Sequence, residues 1–245
     1  MVARMQAIVT LVCIFITYTI ALIILVRCLP PLEDIHSNEL KFPKDVNELK
    51  RLVHIFHQYQ QDHYWHVLVI FVAAYLYKQT FSIPGSVFTN IFAGAVFGLW
   101  QGFLLASVLT AAGATSCFLL SKFVTKTIIG YYFPNKMKLL REKAEQNSDG
   151  LFFFLLSLRF FPMTPNWFLN VSLPAIGVPI TYFFFSVLIG LMPYNYICCQ
   201  AGLLLSKMTS VHDLLDLNTV LGMIGMAVVA FLPGAIIRNR AKKTK

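Results

Sequence analysis

Arg159 is the only charged side chain between residues 151 and 206, inside one of the most apolar stretches of the chain. An ionisable residue at membrane depth is expensive and is a functional candidate by default. Its planar guanidinium can hold a phosphate or lipid headgroup, or it can tie down free carbonyls around a broken helix. Neutral polar residues lie near it or in a matching stretch upstream: Asn90, Asn166, Asn170, Ser82, Ser86, Thr89 and Thr164. They offer donors and acceptors without charge. That suits passage of a headgroup or water, and it equally suits satisfying backbone groups next to prolines. Arg159, Asn90, Asn166, Asn170, Ser86 and Thr164 are therefore the candidate substrate pathway.

Other chemistry finds little support. The sequence contains no G-x-S-x-G, P-loop or dinucleotide fingerprint. The apolar stretches carry no Asp or Glu for general acid–base work or proton relay. The five cysteines show no C-x-x-C or Cys/His ligand spacing, and four of them sit in apolar runs. His54, His57, His63 and His66 cluster without H-E-x-x-H or a placed carboxylate, so they read as an interfacial helix. The expectation is a protein that is not an enzyme, with no cofactor and no metal. A net charge of +9 belongs largely to basic segments such as residues 238–245. With no basic folded domain to present that charge, nucleic-acid binding is not expected. Phospholipids and the membrane are the expected partners, with a homo-oligomer left open.

The elements that position these residues must be membrane helices. Apolar residues make up 57% of the chain and charged ones 13%, against roughly 45–50% and 25% in soluble domains. Residues 5–26, 79–121 and 217–237 carry no charge at all, and a span needs only about 20 residues. Residues 1–29 read as a retained signal-anchor helix. Residues 30–63 form a polar loop with an amphipathic helix. A first membrane module covers 64–121, a polar connector 122–150, and a second module 151–237. Residues 238–245 form a basic tail suited to anionic cytosolic headgroups.

Each module opens with a short apolar stretch, 67–77 or 151–161. A proline-bearing irregular segment follows, and then a full span. Pro84, Gly85, Pro162, Pro165 and Pro174 are the expected breakers, since proline removes a backbone donor and glycine relaxes the ladder. The two irregular segments align at an offset of about 80 residues, pairing Phe88 with Phe168, Asn90 with Asn170 and Ala95 with Ala175. Paired broken helices mark transporter-like repeats, and irregular backbone survives at membrane depth only where protein or a wet cavity covers it. The predicted fold is an all-α integral membrane protein. It has about six transmembrane helices and two opposed re-entrant helical hairpins in an inverted repeat. Six crossings put both termini in the cytosol and the basic connector in the lumen, against the positive-inside tendency. Gly94, Gly98 and Gly102 recur every four residues, which suggests close internal helix packing. Lys78 is expected at the water interface.

The segments Ala74-Tyr-Leu-Tyr-Lys-Gln79, Ile83-Pro-Gly-Ser86, Arg159-Phe-Phe-Pro-Met-Thr-Pro-Asn-Trp-Phe-Leu-Asn170 and Phe183-Phe-Phe-Ser-Val-Leu-Ile-Gly-Leu-Met-Pro-Tyr-Asn195 resemble the transmembrane protein 41 group. That group belongs to the VTT-domain or DedA superfamily, also called SNARE-associated Golgi proteins. The resemblance implies two facing re-entrant loops, with Arg159 in the family's F/L-R-x-x-P element and Pro84 and Gly85 in its P-G element. It implies an endoplasmic reticulum, multi-pass location and ATP-independent phospholipid scrambling tied to autophagy and lipid supply. Bacterial members imply proton-dependent transport instead. Here Ser86 stands where many of them have Glu, and Asn166 lies near a second bacterial arginine, which disfavours coupling. An ion-coupled secondary transporter and a non-catalytic scaffold of secretory or autophagic membranes are the alternatives. Lys242 and Lys243 resemble a dilysine retrieval signal.

Overall fold

The computed structural model describes residues 2–28, 59–132, 134–146, 150–160 and 165–207. Most of the 30–63 loop, Pro162, Thr164, the last apolar run and the tail with Lys242 and Lys243 fall outside the described residues. Among the described residues the regular structure is entirely helical: α1 Val2–Arg27, α2 Tyr64–Thr80, α3 Ser86–Phe97, α4 Leu99–Tyr132, α5 Pro134–Gln146, α6 Leu151–Phe160, α7 Asn166–Ser172, a 3-10 turn Leu173–Ile176, α8 Ile180–Gly190 and α9 Met192–Lys207. Three helical stretches among them are long and apolar enough to cross a bilayer: Ile8–Arg27, Leu99–Lys122 and Ile180–Ser206. The chain is an all-α integral membrane protein.

The helices break where the prolines and glycines require it. After α2, Ser82 takes a left-handed φ of 54°, and the Ile83 amide donates to the Lys78 carbonyl. Pro84 lies in the bend, and Gly85, with φ 114°, leads into α3. In the second module Pro165, with φ −58° and ψ 128°, precedes α7. Pro174 sits at the start of the 3-10 turn, where its missing N–H costs nothing, and Gly177 closes that turn with φ 82°. The helix boundaries repeat the expected offset: Thr80 and Phe160 end α2 and α6, and Ser86 and Asn166 open α3 and α7, each 80 positions apart. Burial does not repeat everywhere, because Phe88 is 67% exposed and Phe168 is buried.

The chain divides into two compact units. The first comprises residues 1–24, 73–84 and 107–191. Its core gathers Ala111, Ala114 and Phe118 of α4 with Leu155, Leu169, Leu173, Phe183 and Val187. Here Tyr75 hydrogen-bonds Thr110 (2.7 Å), Gln79 packs on Gly113, and Ser82 Oγ meets Cys117 Sγ (3.3 Å). These contacts advance together along α2 and α4, so the two helices run parallel. In the second module Phe152 meets Tyr182 and Arg159 meets Gly190, making α6 and α8 parallel as well. α1 docks through Phe15 and Tyr18 on Tyr77 and Phe81, with Thr19 Oγ1 2.8 Å from the Tyr77 hydroxyl.

The second unit comprises residues 25–72, 85–106 and 192–245. Its described part centres on α3 against α9. A Cβ placed on Gly94 would fall 1.9 Å from the Cys199 carbonyl oxygen, and one on Gly202 would fall 1.9 Å from that of Ile91. Only glycine permits so close an approach of two backbones. The expected Gly94–Gly98–Gly102 face needs correction, because Gly98 is not in a helix. It separates α3 from α4 with φ 77° and ψ 175°, and that break lets Gly102 close onto the Ala93 carbonyl. Gly94→Ala and Gly202→Ala should each lower stability by about 1–3 kcal/mol or more through overpacking. Gly150→Ala, which meets nothing within 4 Å, should leave it unchanged. Melting temperatures of the purified variants in detergent decide this.

Candidate functional site

Arg159 occupies the last turn of α6 and is only 6% exposed. Asn166 and Asn170 stand four apart on α7, which puts them on one helical face. Arg159 Nη1 donates to Asn170 Oδ1 at 2.9 Å and to Asn166 Oδ1 at 3.1 Å. Asn170 is buried and Asn166 is exposed, so this one nitrogen links the interior of the unit to its surface. The guanidinium carbon lies 5.0 Å from the centre of the Phe183 ring on α8, a cation–π contact that suits a desolvated arginine. Gly190, also on α8, makes room for the arginine stem, since a Cβ there would come within 2.6 Å of Arg159 Cβ.

Among the described residues no carboxylate completes this arrangement. Nε and Nη2 of Arg159 are buried and find no acceptor among the described residues. Desolvating an ion costs several kcal/mol. Hydrogen bonds to a charged group return about 1.5–3 kcal/mol each. Two neutral asparagines and one aromatic face hold the cation without neutralising it, so the site favours an anion.

The first module carries the same scaffold with different chemistry. Gln79 takes the place of Arg159, 80 positions earlier, and packs on Gly113 as Arg159 packs on Gly190. Asn90 matches Asn170, each the fifth residue of its helix and each buried. The partners differ: in the second unit, Asn90 Nδ2 donates to Asn195 Oδ1 at 2.8 Å.

Of the six pathway residues, the structure joins Arg159, Asn166 and Asn170. Asn90 belongs to the other unit and to a separate pair, Ser86 opens α3 half-buried, and Thr164 lies outside the described residues. Lys78, expected at the interface, is 7% exposed, with its ammonium 4.9 Å from the Tyr75 ring. Gln79, Phe183 and Asn195 were not expected at these positions. Only Gln79 had a signal that sequence could supply, its offset from Arg159. The His63 and His66 rings lie 5.9 Å apart, and among the described residues no group of three His, Cys, Asp or Glu side chains gathers to hold a metal.

These features define a polytopic helical membrane protein, and comparison with known proteins agrees with that class. Residues 83–204 match the VTT domain. The chain is 34% identical to a transmembrane protein 41 homolog of Dictyostelium discoideum over 87% of its length, and it spans 64% of that relative. It is 32% identical to the Drosophila melanogaster homolog, covering 99% of this chain and 76% of the relative. It is 30% identical to transmembrane protein 41B of Xenopus laevis, covering 98% and 86%. No solved structure matches. The chain belongs to the transmembrane protein 41 family of VTT-domain membrane proteins.

Asn170→Ala would leave a buried donor of Arg159 without an acceptor and should cost about 1–3 kcal/mol. Asn166→Ala, at an exposed position that water can reach, should cost less than about 1 kcal/mol. Thermal denaturation of the two variants in detergent gives the ranking, and equal losses would contradict it.

Proposed function

We propose that the protein is an ATP-independent phospholipid scramblase of the endoplasmic reticulum membrane, and that headgroups move along polar atoms left by its two broken segments. In this reading the segments around Pro84 and Pro165 enter the bilayer as re-entrant hairpins while acyl chains stay in lipid. A polar path replaces part of the hydration a headgroup loses and so lowers the barrier to crossing. The observation that carries the reading is Arg159, a buried cation held by two neutral asparagines with no anion beside it among the described residues. A scaffold has no need of so costly a group.

The site favours passive movement over ion coupling. Among the described residues the buried charged side chains are Lys78 and Arg159, while Asp62, Glu142 and Glu145 are exposed. A coupled transporter needs a group that takes and releases the driving ion at membrane depth. The endoplasmic reticulum assignment rests on the resemblance to the transmembrane protein 41 group and on the likeness of Lys242 and Lys243 to a dilysine retrieval signal.

Purified protein in liposomes with acyl-labelled phosphatidylcholine should let an external reductant bleach inner-leaflet label as well as outer. The rate should not respond to an imposed pH gradient. Bleaching no greater than in protein-free vesicles, from folded protein, would refute the reading. Arg159→Gln should slow the exchange by about tenfold or more, the equivalent of one charge-assisted hydrogen bond. For location, changing Lys242 and Lys243 to serine should move the protein from the endoplasmic reticulum to later secretory membranes in fluorescence imaging.

A further inference from the structure

The guanidinium of Arg159 has two edges, and the described residues bond only one nitrogen of it. Nη1 carries two N–H groups, and two acceptors, Asn166 Oδ1 and Asn170 Oδ1, take them. Nε and Nη2 are the nitrogens without an acceptor among the described residues. In arginine these two present parallel N–H groups on one edge, the fork that receives two oxygens of one anion. The Phe183 ring beside the guanidinium carbon and the Gly190 contact at Cβ restrict where that fork can turn.

We infer that the Nε/Nη2 edge of Arg159 is a binding site for the two non-bridging oxygens of a lipid phosphodiester. Lipids of that class are recognised whatever alcohol the headgroup carries. This rests on the scramblase reading and narrows it. The anion must offer two coplanar oxygens at close spacing. A phosphodiester does, while diacylglycerol and glucosylceramide carry no anionic oxygens. Inorganic phosphate shares the chemistry, and the membrane setting favours the lipid. Because both nitrogens are closed to solvent, entry requires the bond from Nη1 to exposed Asn166 to open. α7 then moves off the arginine, and the phosphate takes the free edge while Asn170 still holds Nη1. A choline, ethanolamine or serine headgroup makes no contact that this edge requires.

The test has a binding arm and a transport arm. In the first, native mass spectrometry of the full-length protein counts retained lipid after exposure to phosphatidylcholine, sphingomyelin or glucosylceramide. The two phosphodiester lipids should be retained alike, and glucosylceramide at least about tenfold less. Arg159→Lys keeps the charge without the fork, and both it and Arg159→Gln should lose the preference. Equal retention of glucosylceramide, or an unchanged preference in Arg159→Lys, overturns the inference. Displacement of bound phospholipid by millimolar inorganic phosphate would assign the site to the free ion and also overturn it. In the second arm, the wild-type chain in liposomes should move labelled phosphatidylcholine and sphingomyelin but leave labelled glucosylceramide at the protein-free rate. Movement of all three overturns the selectivity while scrambling stands. Selective, Arg159-dependent retention with no movement of any lipid supports the site and refutes the scramblase reading alone.

Discussion

The interior of a bilayer supplies no hydrogen-bond partner, so every polar group that a broken helix releases has to find one within the protein. That constraint shapes both modules. Proline and glycine interrupt the helical ladder around Pro84 and Pro165, and the chain answers with local caps: left-handed Ser82 after α2, and Gly177 after the 3-10 turn. The asparagines that follow each break are drawn inward for the same reason. Asn90 meets another asparagine, and Asn170 meets a cation. Among the described residues Arg159 is the charged group whose bonding capacity is left unfilled, at Nε and Nη2, while Ser172 Oγ and Gln200 Oε1 are neutral buried atoms without a partner.

One scaffold built twice shows how little separates a structural element from a binding one. In each module a helix ends, a break follows, and a later helix packs parallel to the first. Gln79 and Arg159 sit at the same point of that route, each against a glycine. An amide at this place can satisfy itself with neutral neighbours. A guanidinium brings a full charge and more donors than two asparagines can use. The repeat thus holds its two polar positions with similar packing and gives only one of them a demand for an anion.

Much of the architecture was legible in the sequence because its causes are local. Uncharged runs, proline positions and the 80-residue offset follow from composition and from the backbone chemistry of single residues, and the helix boundaries fall where they point. The site was legible in part. The Asn166/Asn170 pair shares a helical face with no need of tertiary information, and a lone arginine needs partners nearby. The pairing of Asn90 with Asn195 was hidden, because it depends on α3 and α9 approaching across 105 residues of chain. Gly98 was misread as part of a helical face, since a four-residue spacing cannot reveal a break with φ 77° between two helices. Hydropathy marks Lys78 only as a flanking charge, and its burial beside Tyr75 depends on the folded chain. Which edge of the guanidinium stays free is a property of three-dimensional placement alone.

The most direct measurement is solid-state NMR dephasing of arginine side-chain nitrogens by phosphorus, on nitrogen-labelled protein in phosphatidylcholine bilayers. One guanidinium signal should be dephased at Nε and Nη2 far more than at Nη1, and that signal should vanish in Arg159→Gln. An Arg159 signal insensitive to phosphorus, or dephased through Nη1 instead, would contradict the assignment of its free edge to a lipid phosphate.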